Sequence, residues 1–285
     1  FQAEDGIRDS VASRGLGDVY KRQVMGILNI TPDSFSDGGL YFQREQAVNH
    51  AKVILEAGAD ILDIGGESTR PGAEPINAQD EIERVIPVIQ EIRNTYPDCL
   101  ISIDSYKPEV ARKAIMAGAN IINDISGLSL DDSMINLISD KKVPVIIMHM
   151  NGTPKNMQLD PIYKDLVSDV ISFFRNQINK ARTGGVRDDQ IILDPGIGFG
   201  KTVDHNFSLI QHLGEICDLG YPVLIGPSRK SFIGSTLDLP AEERIEGTAA
   251  SVCAGILHGA RIVRVHDVME MKRVVAITEK IRTAA

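Results

Sequence analysis

One kind of position in this chain collects the residues that could do chemistry: the carboxyl end of a short apolar run. Asp63, Asp104, Asn123, His149 and Asp194 each close such a run, and so do Ser228-Arg229-Lys230 and Arg264-Val265-His266. Carboxylates and an amide oxygen accept hydrogen bonds from N–H groups, whereas guanidinium, ammonium and imidazole donate to phosphate or carboxylate oxygens. If both sets share one cavity, a flat N–H-bearing ring fits one end and a polyanion the other.

Asp104, Asn123 and Asp194 end three different runs. Any one of them alone could cap the following helix. Three together suit a purine-like or pterin-like base, because a buried acceptor left unpaired is costly and so discriminates between ligands. Asp63 leaves two readings open, a group that orients its neighbours or a buried helix-cap acceptor. Gly226-Pro227-Ser228-Arg229-Lys230-Ser231 and the Arg264-Val265-His266 run bring two arginines, a lysine and a histidine toward one place, as a polyanion site requires. His149, between two methionines, reads more simply as the end of a core run. Pro195-Gly196-Ile197-Gly198-Phe199-Gly200-Lys201 is glycine-rich, but it lacks the GxGxxG spacing and downstream acid of a dinucleotide site, so a nicotinamide cofactor is discarded.

Two further loops follow the first two runs. Asn29 opens a stretch of turn formers and hydroxyls to Gly39 that carries Phe35, and its amide oxygen suits a hard cation. Gly65-Gly66-Glu67-Ser68-Thr69-Arg70-Pro71-Gly72 sets a guanidinium among permissive glycines and hydroxyls, which suits phosphate or carboxylate recognition or an ordinary solvated loop.

These groups need a scaffold that puts many strand ends on one face. Val24–Ile30, Ile61–Ile64, Leu100–Ile103, Asn120–Ile122, Val143–Met148, Ile191–Leu193, Pro222–Ile225 and Ile262–Val265 are short, β-branched and almost continuously apolar, as strands buried on both faces should be. Between them, Ala47, Val48, Ala51, Ile54 and Leu55, and then Ile82, Val85, Ile86, Ile89 and Ile92, repeat at helical spacing. Gly58, Gly118 and Gly259 each follow a helix and precede a strand, the place of a left-handed C-cap. Eight strand–helix units can form an open doubly wound sheet or a closed barrel, and eight at this length favour a single-domain (β/α)8 TIM barrel. Its active face lies at the strand carboxyl ends.

Composition narrows the function classes. A net charge of -9 and a pI near 5.2 argue against a nucleic-acid or anionic-membrane surface. Three cysteines without CxxC spacing indicate neither a disulfide framework nor a zinc site and fit a reducing cytoplasm. No run approaches the length of a membrane span. Residues 1–23 lack both a starting Met and an apolar period, so they read as an irregular extension, with native and foreign origin both left open, before a barrel over 24–285.

The segment Met25-Gly26-Ile27-Leu28-Asn29-Ile30-Thr31-Pro32-Asp33-Ser34-Phe35-Ser36-Asp37-Gly38-Gly39 resembles the first motif of the dihydropteroate synthases. Asp63-Ile64-Gly65-Gly66-Glu67-Ser68-Thr69-Arg70-Pro71-Gly72, Ser228-Arg229-Lys230 and Arg264-Val265-His266 match later motifs of the same family, in the same order. The resemblance runs from about Val24 to the C-terminus and excludes the leader, where members of the family usually carry native sequence that closes the barrel floor. It implies a cytoplasmic homodimeric TIM barrel, a sulfonamide target, that joins 6-hydroxymethyl-7,8-dihydropterin diphosphate to 4-aminobenzoate with Mg²⁺ assisting.

By this resemblance Asp104, Asn123, Met148, Asp194, Phe199, Gly226 and Lys230 would hold the pterin. Asn29, Arg264 and His266 would bind diphosphate, with Asn29 also a magnesium ligand, and Phe35, Thr69, Arg70, Pro71, Lys230 and Ser231 would shape the aminobenzoate pocket. Asp104, Lys230, Arg264 and His266 would carry the chemistry. Two rivals share the acidic ring: a barrel that passes a methyl group from a reduced pterin to a corrinoid, and a silent pterin-binding module. The first has no need of the polyanion set, and in the second the loops would no longer close.

Overall fold

Every apolar run of the sequence becomes a strand of one ring. In the computed structural model, which describes residues 22–31, 40–68, 72–152, 157 and 161–284, the strands are β1 (Gln23–Asn29), β2 (Ile61–Gly65), β3 (Leu100–Asp104), β4 (Ile121–Asp124), β5 (Val145–Met148), β6 (Ile191–Asp194), β7 (Leu224–Ile225) and β8 (Ile262–Val265). All pairings are parallel, in the order β6-β5-β4-β3-β2-β1-β8-β7. A parallel bridge from Leu193 to Val223, with the Leu193 N–H donating to Pro222 O at 2.9 Å, joins the two ends. The ring is closed, and the fold is a (β/α)8 TIM barrel.

Two strands start two residues later than the sequence suggests, and proline explains both. The expected Val143–Met148 begins at Val145 and the expected Pro222–Ile225 at Leu224. Pro144 and Pro222 have no N–H to give to a ladder, yet their carbonyls still accept from Ile122 and Leu193 of neighbouring strands.

The helices between the strands are α1 (Leu40–Glu56), α2 (Ala78–Thr95), α3 (Pro108–Ala117), α4 (Ser133–Lys141), α5 (Leu166–Thr183), α6 (Val203–Gln211), α7 (Leu213–Cys217), α8 (Ser231–Leu237), α9 (Ile245–Leu257) and α10 (Val268–Thr283). Side-chain caps start several of them: Asn77 accepts from the Asp80 N–H, Asp165 from that of Ser168 and Thr202 from that of His205. The expected glycines end the relevant turns, with φ of 97° at Gly58, 117° at Gly118 and 112° at Gly259.

The two-residue period of the strands divides the core. Residues pointing outward, such as Leu62, Ile64, Ile101, Ile103, Val263 and Val265, pack with the helices in one large cluster. Their inward neighbours Met25, Ile61, Ile121, Ile146, Ile192, Leu224 and Ile262 form a separate plug across the barrel interior. That plug occupies only the amino-terminal part of the bore. Farther along the strands the inward positions become polar, and the register sets Asn29, Gly65, Asp104 and Asn123 side by side across four strands.

The barrel takes in the last two residues of the segment set apart as an extension. Gln23 opens β1, and buried Arg22 donates from Nε to Ala260 O at 3.1 Å and pairs with Glu279. Residues 1–21 lie outside the described residues, as do Phe35, Thr69, Arg70 and Pro71 among the expected site residues.

Candidate active site

An arginine between two aspartates forms the floor of the polar end. Arg264, on β8, donates from Nε to Asp63 Oδ2 and from Nη2 to Asp104 Oδ2, both at 2.6 Å. Asn123 Nδ2 donates to the same Asp63 oxygen at 3.1 Å. This decides the open question at Asp63, which caps no helix here but orients Arg264 and Asn123. Arg264 Nη1 has no protein partner among the described residues and is available to a ligand.

Across the barrel from these groups stands the loop after β6. The Gly196 N–H donates to Asp194 Oδ1 at 2.7 Å and fixes that carboxylate. Gly198, at φ 84°, lets the loop turn beside Lys230, where a Cβ would come within 2.9 Å of the lysine Cδ. The lysine Nζ rests 4.0 Å from the centre of the Phe199 ring, a cation–π contact that orients both. Asp104, Asn123, Met148, Asp194, Phe199, Gly226, Lys230 and Arg264 therefore line one cavity, with Ile125 and Ile197 completing the wall.

Several acceptors in this cavity await donors. Asp104 Oδ1 and Asn123 Oδ1 are buried without a hydrogen-bond partner among the described residues, and so is Asp63 Oδ1 beneath them. A folded protein rarely leaves such atoms unpaired, so a ligand with N–H groups is the natural occupant.

Burial sets the charge states. It pushes Asp104 up to about 7 against the pull of Arg264, and Asp194 up to about 6 against the Gly196 N–H and Lys230. Lys230 is brought down to about 8 by burial and by the charge of Arg264. For Arg264, burial alone would lower the pKa, but Asp63 and Asp104 outweigh it and hold the guanidinium above the ordinary arginine value. His266 is an exposed residue whose ring nonetheless packs close enough to its neighbours to be lowered by desolvation first and then by the charges of Arg264 and Arg229.

One member of the expected cationic group is missing. Arg229 has a left-handed φ of 57°, which turns its side chain away to Asp267, where Nε and Nη2 donate to the two carboxylate oxygens at 3.0 and 2.5 Å. The cations at the mouth are thus Arg264 and Lys230, with neutral His266 beside them. Ser231 opens α8 and is exposed at the same rim. His149 lies beneath the β6 loop, where its Nδ1 is 3.0 Å from Lys201 Nζ, and Lys201 also donates to Phe199 O at 2.9 Å. It supports the loop from below and does not line the cavity.

The sequence did not reveal a second cluster at the foot of the second loop. Glu67 accepts from the Tyr106 hydroxyl at 2.8 Å, from the Ile76 N–H at 3.2 Å and from Lys107, whose ammonium also reaches Glu81 at 2.6 Å. Arg84 adds a bond to Gly66 O. A wider and mostly apolar cavity opens beside this cluster between Pro75, Tyr106, Ile125 and Leu130.

For a divalent cation, the described residues offer no group of three or more acidic, histidine or cysteine side chains. Asn29 Oδ1 and Asp104 Oδ2 flank the small Gly65, each within 4 Å of where a Cβ there would lie. One protein oxygen with room beside it suits Mg²⁺, which keeps waters and takes most of its other ligands from phosphate oxygens.

Comparison with known proteins gives a consistent result. The family described as pterin binding enzyme matches residues 25–266. A dihydropteroate synthase of Synechocystis is 49% identical over 257 residues, covering 90% of this chain and 89% of its own. The crystal structure of the Yersinia pestis dihydropteroate synthase with a sulfonamide drug complex superposes with a TM-score of 0.88 at 43% identity, covering 94% of this chain and 96% of its own. The Xanthomonas albilineans dihydropteroate synthase with 4-aminobenzoic acid gives 0.87 at 40% identity, covering 93% and 94%.

Proposed function

The chain belongs to the pterin-binding enzymes and, within them, to the dihydropteroate synthases, and we propose that its barrel mouth joins the two substrates in the following way. The reaction condenses 6-hydroxymethyl-7,8-dihydropterin diphosphate with 4-aminobenzoate and releases diphosphate. The observation that carries the assignment of the pterin is the pair of unpartnered acceptors, Asp104 Oδ1 and Asn123 Oδ1, in the cavity closed by Asp194 and Lys230.

The pterin presents ring N–H and amino groups to Asp104, Asn123 and Asp194 and ring acceptors to Lys230, with Met148, Phe199 and Gly226 shaping the slot. Its diphosphate lies toward Arg264 Nη1, His266 and Asn29. As the bond from the methylene carbon to the diphosphate oxygen breaks, positive charge spreads into the ring near Asp104 and negative charge grows at Arg264. One ion pair thus faces both ends of the breaking bond, prearranged and without reorganisation. The aminobenzoate nitrogen then attacks the methylene carbon, and its proton passes to an oxygen of the departing diphosphate. Ser231 and Lys230 at the rim would contribute to the aminobenzoate pocket, together with Phe35, Thr69, Arg70 and Pro71, which lie outside the described residues, and the filled pocket would exclude water.

Mg²⁺ belongs to the same proposal: held by Asn29 and the diphosphate oxygens, it would neutralise charge on the leaving group. So does a homodimer in the cytoplasm. Leu257, Met269, Ile277 and Ile281 expose apolar side chains on the packed pair α9 and α10, which supports an interface there and is tested by sedimentation. No helix among the described residues is long and apolar enough to cross a membrane.

A coupled assay of pyrophosphate release tests the function. Release should require the pterin diphosphate, 4-aminobenzoate and Mg²⁺ together. Pterin binding without release would instead mark a silent binding module.

A further inference from the structure

Ser228 and His266 meet where β7 and β8 run into their loops, and they do so twice. The His266 backbone N–H donates to Ser228 Oγ at 3.1 Å, and the same oxygen lies 3.0 Å from His266 Nδ1. The adjacent residues lock this arrangement: Arg229 grips Asp267 through two hydrogen bonds, and the Arg229 N–H donates to Thr248 Oγ1. The serine is only 4% exposed, so its hydroxyl must find its partners within the protein.

A hydroxyl has one proton and two lone pairs. The backbone N–H takes one lone pair. If the imidazole proton sat on Nδ1, it would take the other, and the serine proton would be left without an acceptor among the described residues. A buried donor in that state is costly. With Nδ1 as acceptor, Ser228 Oγ–H donates to it, every group of the pair is satisfied, and the imidazole proton must be on Nε2, the ring nitrogen that does not face Ser228.

We propose that Ser228 is a positioning residue that fixes His266 as the Nε2–H tautomer, so that this histidine meets the departing diphosphate as a neutral hydrogen-bond donor. The inference rests on the placement of the leaving group given above. The hydrogen bond made by one ring nitrogen decides what the other presents. Desolvation disfavours a second proton on the ring, the neighbouring Arg264 and Arg229 charges add to it, and Lys230 adds a little more while Asp267 opposes. A neutral donor adds to the cations already aimed at the diphosphate without adding a third charge to be separated when the product leaves.

The test is nitrogen-15 NMR of the imidazole rings in the full chain, with His266 assigned among the six histidines by its loss in His266→Gln. Wild type and Ser228→Thr should show His266 with its proton on Nε2, and Ser228→Ala should show mixed tautomers. Titration with inorganic pyrophosphate and Mg²⁺ should perturb Nε2, and pyrophosphate should bind Ser228→Ala about tenfold more weakly, the equivalent of about 1.4 kcal/mol for one hydrogen bond to a charged group. A wild-type ring protonated on Nδ1 would overturn the proposal, as would unchanged tautomer and affinity in Ser228→Ala. Pyrophosphate that binds without perturbing His266 overturns the leaving-group placement, and the donor role with it. If Ser228→Ala fails to fold, as judged by circular dichroism, the wild-type and Ser228→Thr spectra decide.

Discussion

Replacing Arg264 with alanine separates its two jobs, because the guanidinium both stabilises charge in the reaction and holds two buried carboxylates apart. Its loss removes one prearranged donor at the leaving group, for which about 2.7 to 4 kcal/mol of transition-state stabilisation is expected, or roughly 10² to 10³ in kcat. It also removes the positive charge that now opposes burial at Asp104, so that carboxyl rises further above about 7 and a smaller fraction is ionised to accept the pterin N–H. Both effects lower kcat/KM for the pterin substrate. Folding suffers too, since breaking a buried ion pair from one side costs about 3 to 5 kcal/mol. The sign of the pH dependence follows from linkage: a carboxyl whose folded pKa lies above its unfolded value binds more protons in the native state, so stability falls as pH rises from about 4 through that folded pKa. The urea midpoint of Arg264→Ala should therefore drop further below wild type at about pH 8 than at about pH 5. Arg264→Lys keeps the charge but not the two-directional fork, so it should recover stability more fully than turnover. Steady-state pyrophosphate release and urea unfolding at both pH values measure all of this. Near-normal turnover of Arg264→Ala, or a defect confined to KM for aminobenzoate, would refute the reasoning.

Three other outcomes follow from the same geometry. The pH profile of kcat/KM for the pterin should be bell-shaped, with an acid limb where Asp194 and Asp104 ionise, at about 6 and about 7, and an alkaline limb where Lys230 loses its proton at about 8. A flat profile from pH 5 to 9 would contradict those roles. Gly198→Ala forces a side chain into a left-handed φ and against Lys230, so it should destabilise by about 1 to 2 kcal/mol and raise KM for the pterin. Thermal unfolding and kinetics check this together. Glu67→Gln loosens the foot of the second loop, two residues before Thr69, and should raise KM for aminobenzoate by up to about tenfold while calorimetry shows pterin binding unchanged, the scale of one or two lost hydrogen bonds.

The parts of this enzyme legible in the sequence are those that follow a local period. Alternation along eight short runs fixes which side chains face the bore, and the end of each run fixes how high they sit, so Asp104, Asn123, Asp194 and Arg264 converge once the ring closes. What stays hidden depends on pairing between elements. Asp63 resembles a helix cap until β8 brings Arg264 across the bore to it, a partner 201 positions away along the chain. Arg229 counts as a site cation until its left-handed φ turns it to Asp267, and no composition rule assigns such a φ to an arginine. Glu67, Tyr106, Lys107 and Glu81 come from three separate segments, with nothing in their spacing to announce a cluster. The two classes differ in function as well. In the proposed mechanism the residues at strand ends touch the substrates, whereas the cross-element pairs of Asp63 with Arg264, Arg229 with Asp267 and Ser228 with His266 fix their orientation. Families that share this barrel could therefore keep the same strand-end residues and still differ in chemistry, because tautomer and guanidinium direction are set by partners that a motif does not contain.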